Sequence, residues 1–353
     1  MKKNLAGIIT LVLFFGGCGN VEQIQEDAEI VSDPEVVEDT IEVVTSEDIA
    51  NANTDPAFEI TVYDSSKAYN GTTIFSDNHD GMNPRIVEVN MLGEVVWEYD
   101  VPKDLAKYNN PGFDVEKLEN GNILFILPGN GIYEVDQAGE TVWSYLDTKI
   151  SHDIDRLPNG NTLVVFGNRD TPEDAQVKEI SPEGEIVWSW QASSCFTAGD
   201  YKQDQGWTHT NAATRLDNGN TLVSLRNFSF IAEIDTEGNL VRKIGEGVLE
   251  AQHDPKMEED GEILLANHTD PNTVLTLNPD TGEITWEYVI EEASSWPVRG
   301  ADRLPNGNVL ITEADRLVEI TVDGEIVWEL ALKDPIEQGE GSMKGFFTSQ
   351  RIQ

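Results

Sequence analysis

The 353-residue chain repeats one pattern six times. Each copy has an Asn-Gly or Asp-Gly turn, a short apolar strand, a second strand, and a glycine-led turn that closes on a large side chain. The anchor glycines are Gly71, Gly121, Gly160, Gly219, Gly261 and Gly307. The closing glycines are Gly93, Gly139, Gly184, Gly238, Gly282 and Gly324. Four residues beyond them stand Trp97, Trp143, Trp188, Arg242, Trp286 and Trp328, so one copy carries arginine instead of tryptophan. A period of about 40–50 residues with four strand-like runs per copy predicts an all-β fold, a six-bladed β-propeller with four-stranded blades. In a propeller, equivalent positions of different blades meet around one axis. Residues distant in sequence become neighbours there.

The repeat sets blades at about 57–100, 111–148, 150–193, 207–247, 251–291 and 298–332, within a propeller spanning 56–332. Each Asn-Gly is read as the hairpin turn between the first and second strands. The tryptophans are read as packing elements that fill the wedge between twisted sheets. Longer connections fall at 101–112 and 193–207. The tail, 333–353, carries Phe346-Phe347 and is expected to pack on the propeller.

The first residues, MKKNLAGIITLVLFFGGCGN, place two lysines and an apolar run before a cysteine. This predicts a lipoprotein signal peptide over 1–17 and lipidation at Cys18; the run is too short to prefer a membrane-spanning helix. From Gly19 to Asp55 the chain carries twelve acidic and no basic residues, which predicts a disordered acidic tether over 18–55. The expected location is an exported lipoprotein, on the periplasmic side of the outer membrane or at the cell surface. The formal net charge of −42 repels nucleic acid and anionic membranes, so contact with a membrane is expected through the N-terminal lipid alone. With Cys18 lipidated, Cys195 has no partner for an intrachain disulfide.

The segment leading into each anchor turn is expected to be the innermost strand. Eight residues before the anchor glycines stand Tyr63, Phe113, His152, Asn211, His253 and Arg299, with His209 two residues before Asn211 on the same strand face. His79 and His268 fall where a second strand ends, as do Arg226 and Asn227 in the fourth copy. All five histidines, Arg226 and Arg299 are thereby expected near one mouth of the central channel. A cationic pocket in so acidic a chain points to an anionic ligand or transition state. Polar, hydrated channels are also general in propellers. A metal held by His152, His209 and His253 is a further alternative, although no HxH or HExxH spacing is present. No Gly-x-Ser-x-Gly elbow and no phosphate-cradling glycine motif occurs.

The segment WTHTNAATRLDNGNTLVSLRNFSFIAEID, residues 207–235, resembles the bacterial arylsulfate sulfotransferases, a family of six-bladed propellers. Their Trp-x-His-x-Asn segment, followed by a turn, a strand and an arginine, is matched in order by His209, Asn211 and Arg226. SHDIDRLPNGNTLVVF resembles the family's earlier His-Asp segment and puts His152 on a second active-site histidine. AQHDPKMEEDGEILLANH resembles the segment whose histidine accepts the sulfuryl group, which gives His253 the nucleophile's role. The chain departs from the family in having Asn267-His268-Thr269 where Asp-Asn-Gly is frequent, and an acidic tether where an additional β-domain stands.

The resemblance implies sulfuryl transfer from an aryl sulfate to a phenol through an N-sulfohistidine, with no cofactor. Arg226 and His209 would stabilise charge on the sulfuryl oxygens, and His152 would protonate the leaving phenolate and later deprotonate the acceptor. By ring position, Asn211, Arg299, His268 and Asn267 are candidates to bind substrate, and Tyr63 and Phe113 could flank its aryl group. Two other readings stand beside this one: a non-catalytic binding or assembly module of the envelope, and a metal-dependent lactonase-like hydrolase.

Overall fold

The strand Ile123–Leu127 is apolar throughout, Phe230–Ile234 is apolar but for Glu233, and both are buried on both faces, so each sheet must stack on a neighbour at either side. The computed structural model describes residues 54–110, 112–199, 204–290, 297–334 and 344–353, with 48, 52, 201 and 336. The expected signal peptide, Cys18 and most of the expected tether lie outside the described residues.

Six antiparallel sheets form the six blades; five have four strands and one has five. Blade 4 shows the plan: Thr210–Arg215 lies innermost, then Thr221–Leu225, Phe230–Ile234 and Leu240–Ile244. The anchor turn is a type I turn followed by glycine in the left-handed region. Around Gly121 (φ +84°), for example, Gly121 N–H donates to Leu118 O and Leu118 N–H to Asn122 O.

The first blade departs from the expected limits. Its innermost strand is Phe346–Ile352, which pairs with Thr72–Asp77, while Phe58–Tyr63 adds a fifth, outermost strand to the last blade. Tyr63 therefore sits opposite Trp328 at the rim and not at the axis. The tail is part of the ring. Its Phe346 is wholly buried against Phe58 and Phe75.

The core is distributed among the blade interfaces. Each buried cluster joins two neighbours: Phe125 and Phe347 between blades 1 and 2, Trp190 and Phe230 between 3 and 4, Phe75 and Leu330 between 6 and 1. Each such ring or leucine contributes about 1.5–3 kcal/mol by leaving water. The tryptophans then stitch rim to rim. Trp97 donates its indole N–H to Gln137 O, Trp143 to Pro182 O, Trp188 to Thr236 O, Trp286 to Val322 O and Trp328 to Met91 O, at 2.8–3.2 Å. The last of these joins blade 6 to blade 1.

Near the axis the splayed inner strands are linked through side chains. Asp114 accepts from Ile154 N–H (2.8 Å), Asp153 from Ala213 N–H (2.7 Å), and Thr348 from Val115 N–H (3.1 Å). Glu116 accepts from Arg156 N–H one layer further along (2.9 Å). Buried carboxyls thus satisfy backbone donors that no strand reaches.

Candidate active site

At one end of the axis lies a cavity of about 230 Å³. His152, His209, Asn211, Arg226, His253, His268 and Arg299 all line it, so seven of the eight expected site residues in the propeller converge. Asn267 does not: its Oδ1 accepts from Glu250 N–H (2.7 Å) and shapes the loop before His253. His79 also lies elsewhere, with Nδ1 2.7 Å from Asp77 Oδ1, an acceptor bond that raises its pKa. The expectation that all five histidines meet is corrected to four. Phe113 is buried against Phe125 and does not reach the cavity.

The histidines are held in unusual backbone. His152 (φ +72°) and His209 (φ +47°) occupy the left-handed region, as do Ala251 and Asp254 on either side of His253. Non-glycine residues there carry strain, which clusters at functional sites when the surroundings enforce it. Asp170 enforces it at His209. Its buried carboxylate accepts from the backbone N–H of Thr208 and His209 and from Thr208 Oγ1–H. Gly112, at φ +75°, packs against His152 so closely that a Cβ there would lie 2.3 Å from His152 Cα.

Hydrogen bonds fix the tautomers. His253 Nδ1–H donates to Ala251 O at 2.9 Å, and the Nε2 lone pair has no hydrogen-bond partner among the described residues. Its ring stacks on His268, 4.0 Å between centroids, and His268 Nε2–H donates to Val298 O at 2.6 Å. His209 Nδ1–H donates to Asp204 O at 3.1 Å, so its Nε2 accepts from His152 Nε2–H at 3.2 Å. His152 Nδ1 then accepts from Ser151 Oγ–H at 2.8 Å. Burial is the leading cause that holds all four neutral. It lowers His253 and His152 well below the usual imidazole value, His209 to about 4 and His268 to about 3, with Arg226 adding to each.

Two guanidinium groups supply positive charge. Arg226 Nη1 is 3.6 Å from Asp204 Oδ2, a partner on the long connection before blade 4. Arg299 lies with its guanidinium carbon 3.7 Å from the centre of the Phe347 ring and donates from Nη2 to Lys344 O (3.1 Å). Burial lowers Arg299 to about 9. Asn211 Nδ2–H donates to Gln252 O (2.9 Å), and its buried Oδ1 has no hydrogen-bond partner among the described residues.

Below the cavity mouth the axis turns acidic. Asp153 and Asp254 line the cavity, with Asp114, Asp155 and Glu116 close by. Burial first, then mutual repulsion, raises Asp114 to about 6 and Asp155 to about 8; burial raises Glu116 to about 7. Lys256 is paired with Asp254 and Asp302. Among the described residues no three His, Cys, Asp or Glu side chains converge as a metal-binding group, and His253 stacks on His268 instead of joining His152 and His209 around one point.

Residues 52–248 match the family described as Arylsulfotransferase (ASST). The chain belongs to the arylsulfotransferase family. The matched stretch contains His152, His209, Asn211 and Arg226, and ends before His253, His268 and Arg299, which join them in the cavity on geometry. No curated protein matches the sequence. Among solved structures, a protein of unknown function from Bacteroides caccae is 20% identical with a TM-score of 0.56, covering 80% of this chain and 98% of its own. A streptogramin B lyase is 16% identical (TM-score 0.49; 84% and 98% covered), and BamB from Moraxella catarrhalis is 14% identical (TM-score 0.40; 79% of both chains). At these identities the likeness concerns the fold.

Sequence reasoning missed Asp153, Asp204, Asp254, Gly112 and Phe347 as lining residues. One signal was visible: each of His152 and His253 is followed directly by aspartate.

Proposed function

We propose that this arylsulfotransferase-family propeller transfers a sulfuryl group from an aryl sulfate to a phenol through a sulfated His253. The observation that carries the reading is the His253 tautomer: Nδ1–H is tied to Ala251 O, burial keeps the ring neutral, and the Nε2 lone pair is unengaged among the described residues in a cavity that holds two guanidinium groups. Attack by Nε2 on sulfur forms the N–S bond and breaks the bond from sulfur to the aryl oxygen; the acceptor phenol reverses the sequence. Arg226 stabilises the sulfuryl oxygens as charge shifts onto them; the share that the resemblance gives His209 needs a free N–H, and its one N–H is given to Asp204 O. His152 donates to His209 and holds its ring in place. The acid role that the resemblance gives His152 needs a second proton, which a buried ring near Arg226 and Arg299 resists.

The test is incubation of the protein with 4-nitrophenyl sulfate and excess phenol, beside His253→Ala. Nitrophenolate release and a sulfuryl-mass adduct on the intact protein are expected, both lost in the variant. Release that survives in His253→Ala would reject His253 as nucleophile. The reading extends to export: the leader-like 1–17 and Cys18 would tether this chemistry outside the cytoplasm. Loss of fatty-acid labelling in Cys18→Ala tests that part separately.

A further inference from the structure

Transfer through His253 leaves the pocket one proton short between half-reactions, because the first phenol departs protonated before the second arrives. The histidines are poorly suited to hold that proton. His152 and His209 each carry one, already engaged in the chain from Ser151 through His152 and His209 to Asp204 O. A second proton would create an imidazolium beside Arg226 in a buried site. Among the described residues no lysine or tyrosine lines the cavity; three aspartates do, Asp153, Asp204 and Asp254. Asp204 faces Arg226, and Asp254 has Lys256 Nζ at 3.1 Å. Asp153 forms no ion pair among the described residues. Its Oδ2 accepts from Ala213 N–H at 2.7 Å, and the residue lines the cavity next to His152.

We propose that Asp153 is the proton donor and acceptor of the site, giving its proton to the leaving phenolate and taking one from the incoming phenol. The proposal rests on the His253 reading and deepens it. In the first half-reaction the bond from sulfur to aryl oxygen breaks, the N–S bond to His253 forms, and the freed oxygen takes the proton of Asp153. The resulting carboxylate balances the positive ring of sulfated His253. In the second, the phenol proton returns to Asp153 as phenol oxygen bonds sulfur and the N–S bond breaks. Atoms and charge close without a further reactant.

The surroundings favour the acid form before each turnover. Burial, then Asp155, Asp114 and Asp254 raise the Asp153 titration well above the usual carboxylate range. The nearby cations have other contacts: Arg226 faces Asp204, Lys256 lies between Asp254 and Asp302, and Arg299 rests on Phe347 and Lys344 O.

The test compares sulfation rates of the full chain and Asp153→Asn, by intact mass, with phenyl sulfate and with 4-nitrophenyl sulfate. Asparagine keeps an acceptor for Ala213 N–H but has no proton to give. The variant is expected to lose about 100-fold or more with phenyl sulfate, whose phenolate leaves badly, and less than about 10-fold with the nitrophenyl ester. Equal losses with both donors would overturn the proposal and leave Asp153 with its strand-linking role alone. The wild-type protein gives an independent readout that needs no substitution. Sulfation by phenyl sulfate should fall as pH rises while that by the nitrophenyl ester persists; parallel profiles would overturn the proposal too. If wild type forms no adduct with either donor, the His253 reading fails and takes this one with it. Adduct with parallel profiles removes only Asp153.

Discussion

Arg242 Nε donates to Glu233 Oε2 at 2.6 Å, in the one blade that lacks the closing tryptophan. In four other blades the corresponding glutamate is filled by a cation at the end of the next inner strand: Lys117 on Glu88, Arg156 on Glu134, Arg215 on Glu179, Arg351 on Glu319; blade 5 has Thr276 in the glutamate's place instead. Blade 5 offers Met257 at the cation's place, so Arg242 supplies the missing charge. It also reaches Asp280, standing in for the stitch that tryptophan makes on other blades.

A double-mutant cycle is the natural test of this exchange. Arg242→Trp alone should destabilise by about 1–3 kcal/mol, because Glu233 is left without a cation. Adding Met257→Arg should recover most of that loss, giving a coupling of at least about 1 kcal/mol in urea melts. Additive effects would mean that the two positions do not share Glu233.

Gly112→Ala should cut sulfation of His253 by tenfold or more, an order-of-magnitude figure for a misplaced catalytic group. The new Cβ falls 2.3 Å from His152 Cα and the position has φ +75°, so His152 must move, and His209 with it. Single-turnover rates with thermal melts decide the matter. Unchanged turnover would show that the His152–His209 contact has no part in the reaction.

Activity should not show the usual imidazole limb near pH 6.5. Burial, then His268 and Arg226, hold His253 neutral well below its ordinary value, so kcat/KM for an aryl sulfate should stay level from pH 7 down to at least about 5.5. An acid limb centred near 6.5 would contradict the buried, neutral nucleophile.

Arg226→Lys keeps charge but loses the planar fork, and should lower the sulfation rate by roughly 10–100-fold; Arg226→Ala should cost about 100–1,000-fold. The KM of the donor should change less than kcat, since the interaction strengthens as charge develops. A loss confined to KM would place Arg226 in ground-state binding alone.

Stability should fall between pH 6.5 and 9. Glu116, Glu313 and Asp155 have folded-state values raised to about 7, 7 and 8, each chiefly by burial, so the folded protein binds more protons than the unfolded chain through this range. Stability then declines as pH rises to those values. The four buried histidines act in the opposite direction, but below about 6.5, where the unfolded chain protonates first. A melting temperature that climbs from pH 6.5 to 9 would contradict the raised carboxyls.

The blades were legible because the turn glycines and tryptophans are local signals, each repeated at a fixed offset. The convergence of His152, His209, Arg226 and His253 on one cavity was legible for the same reason, aided by the motif around residues 207–235. The closure of the ring was not. Phe346–Ile352 carries no anchor turn after it, and its partner strand lies more than 250 residues earlier, so the repeat gave no offset to count from. Asn267 was misplaced because its neighbour His268 faces the cavity, and alternate residues of a strand point to opposite faces. The aspartates of the channel read as ordinary surface charge in a chain with 65 acidic residues; only the axis makes them costly.

The small cavity has a consequence for traffic. A volume of about 230 Å³ accommodates one small aromatic ester and not two. Donor and acceptor must therefore use it in turn, and a crowd of phenol at the entrance slows the ester that has to precede it. Velocity that first rises and then falls with acceptor concentration is the kinetic signature such a single-berth harbour should leave.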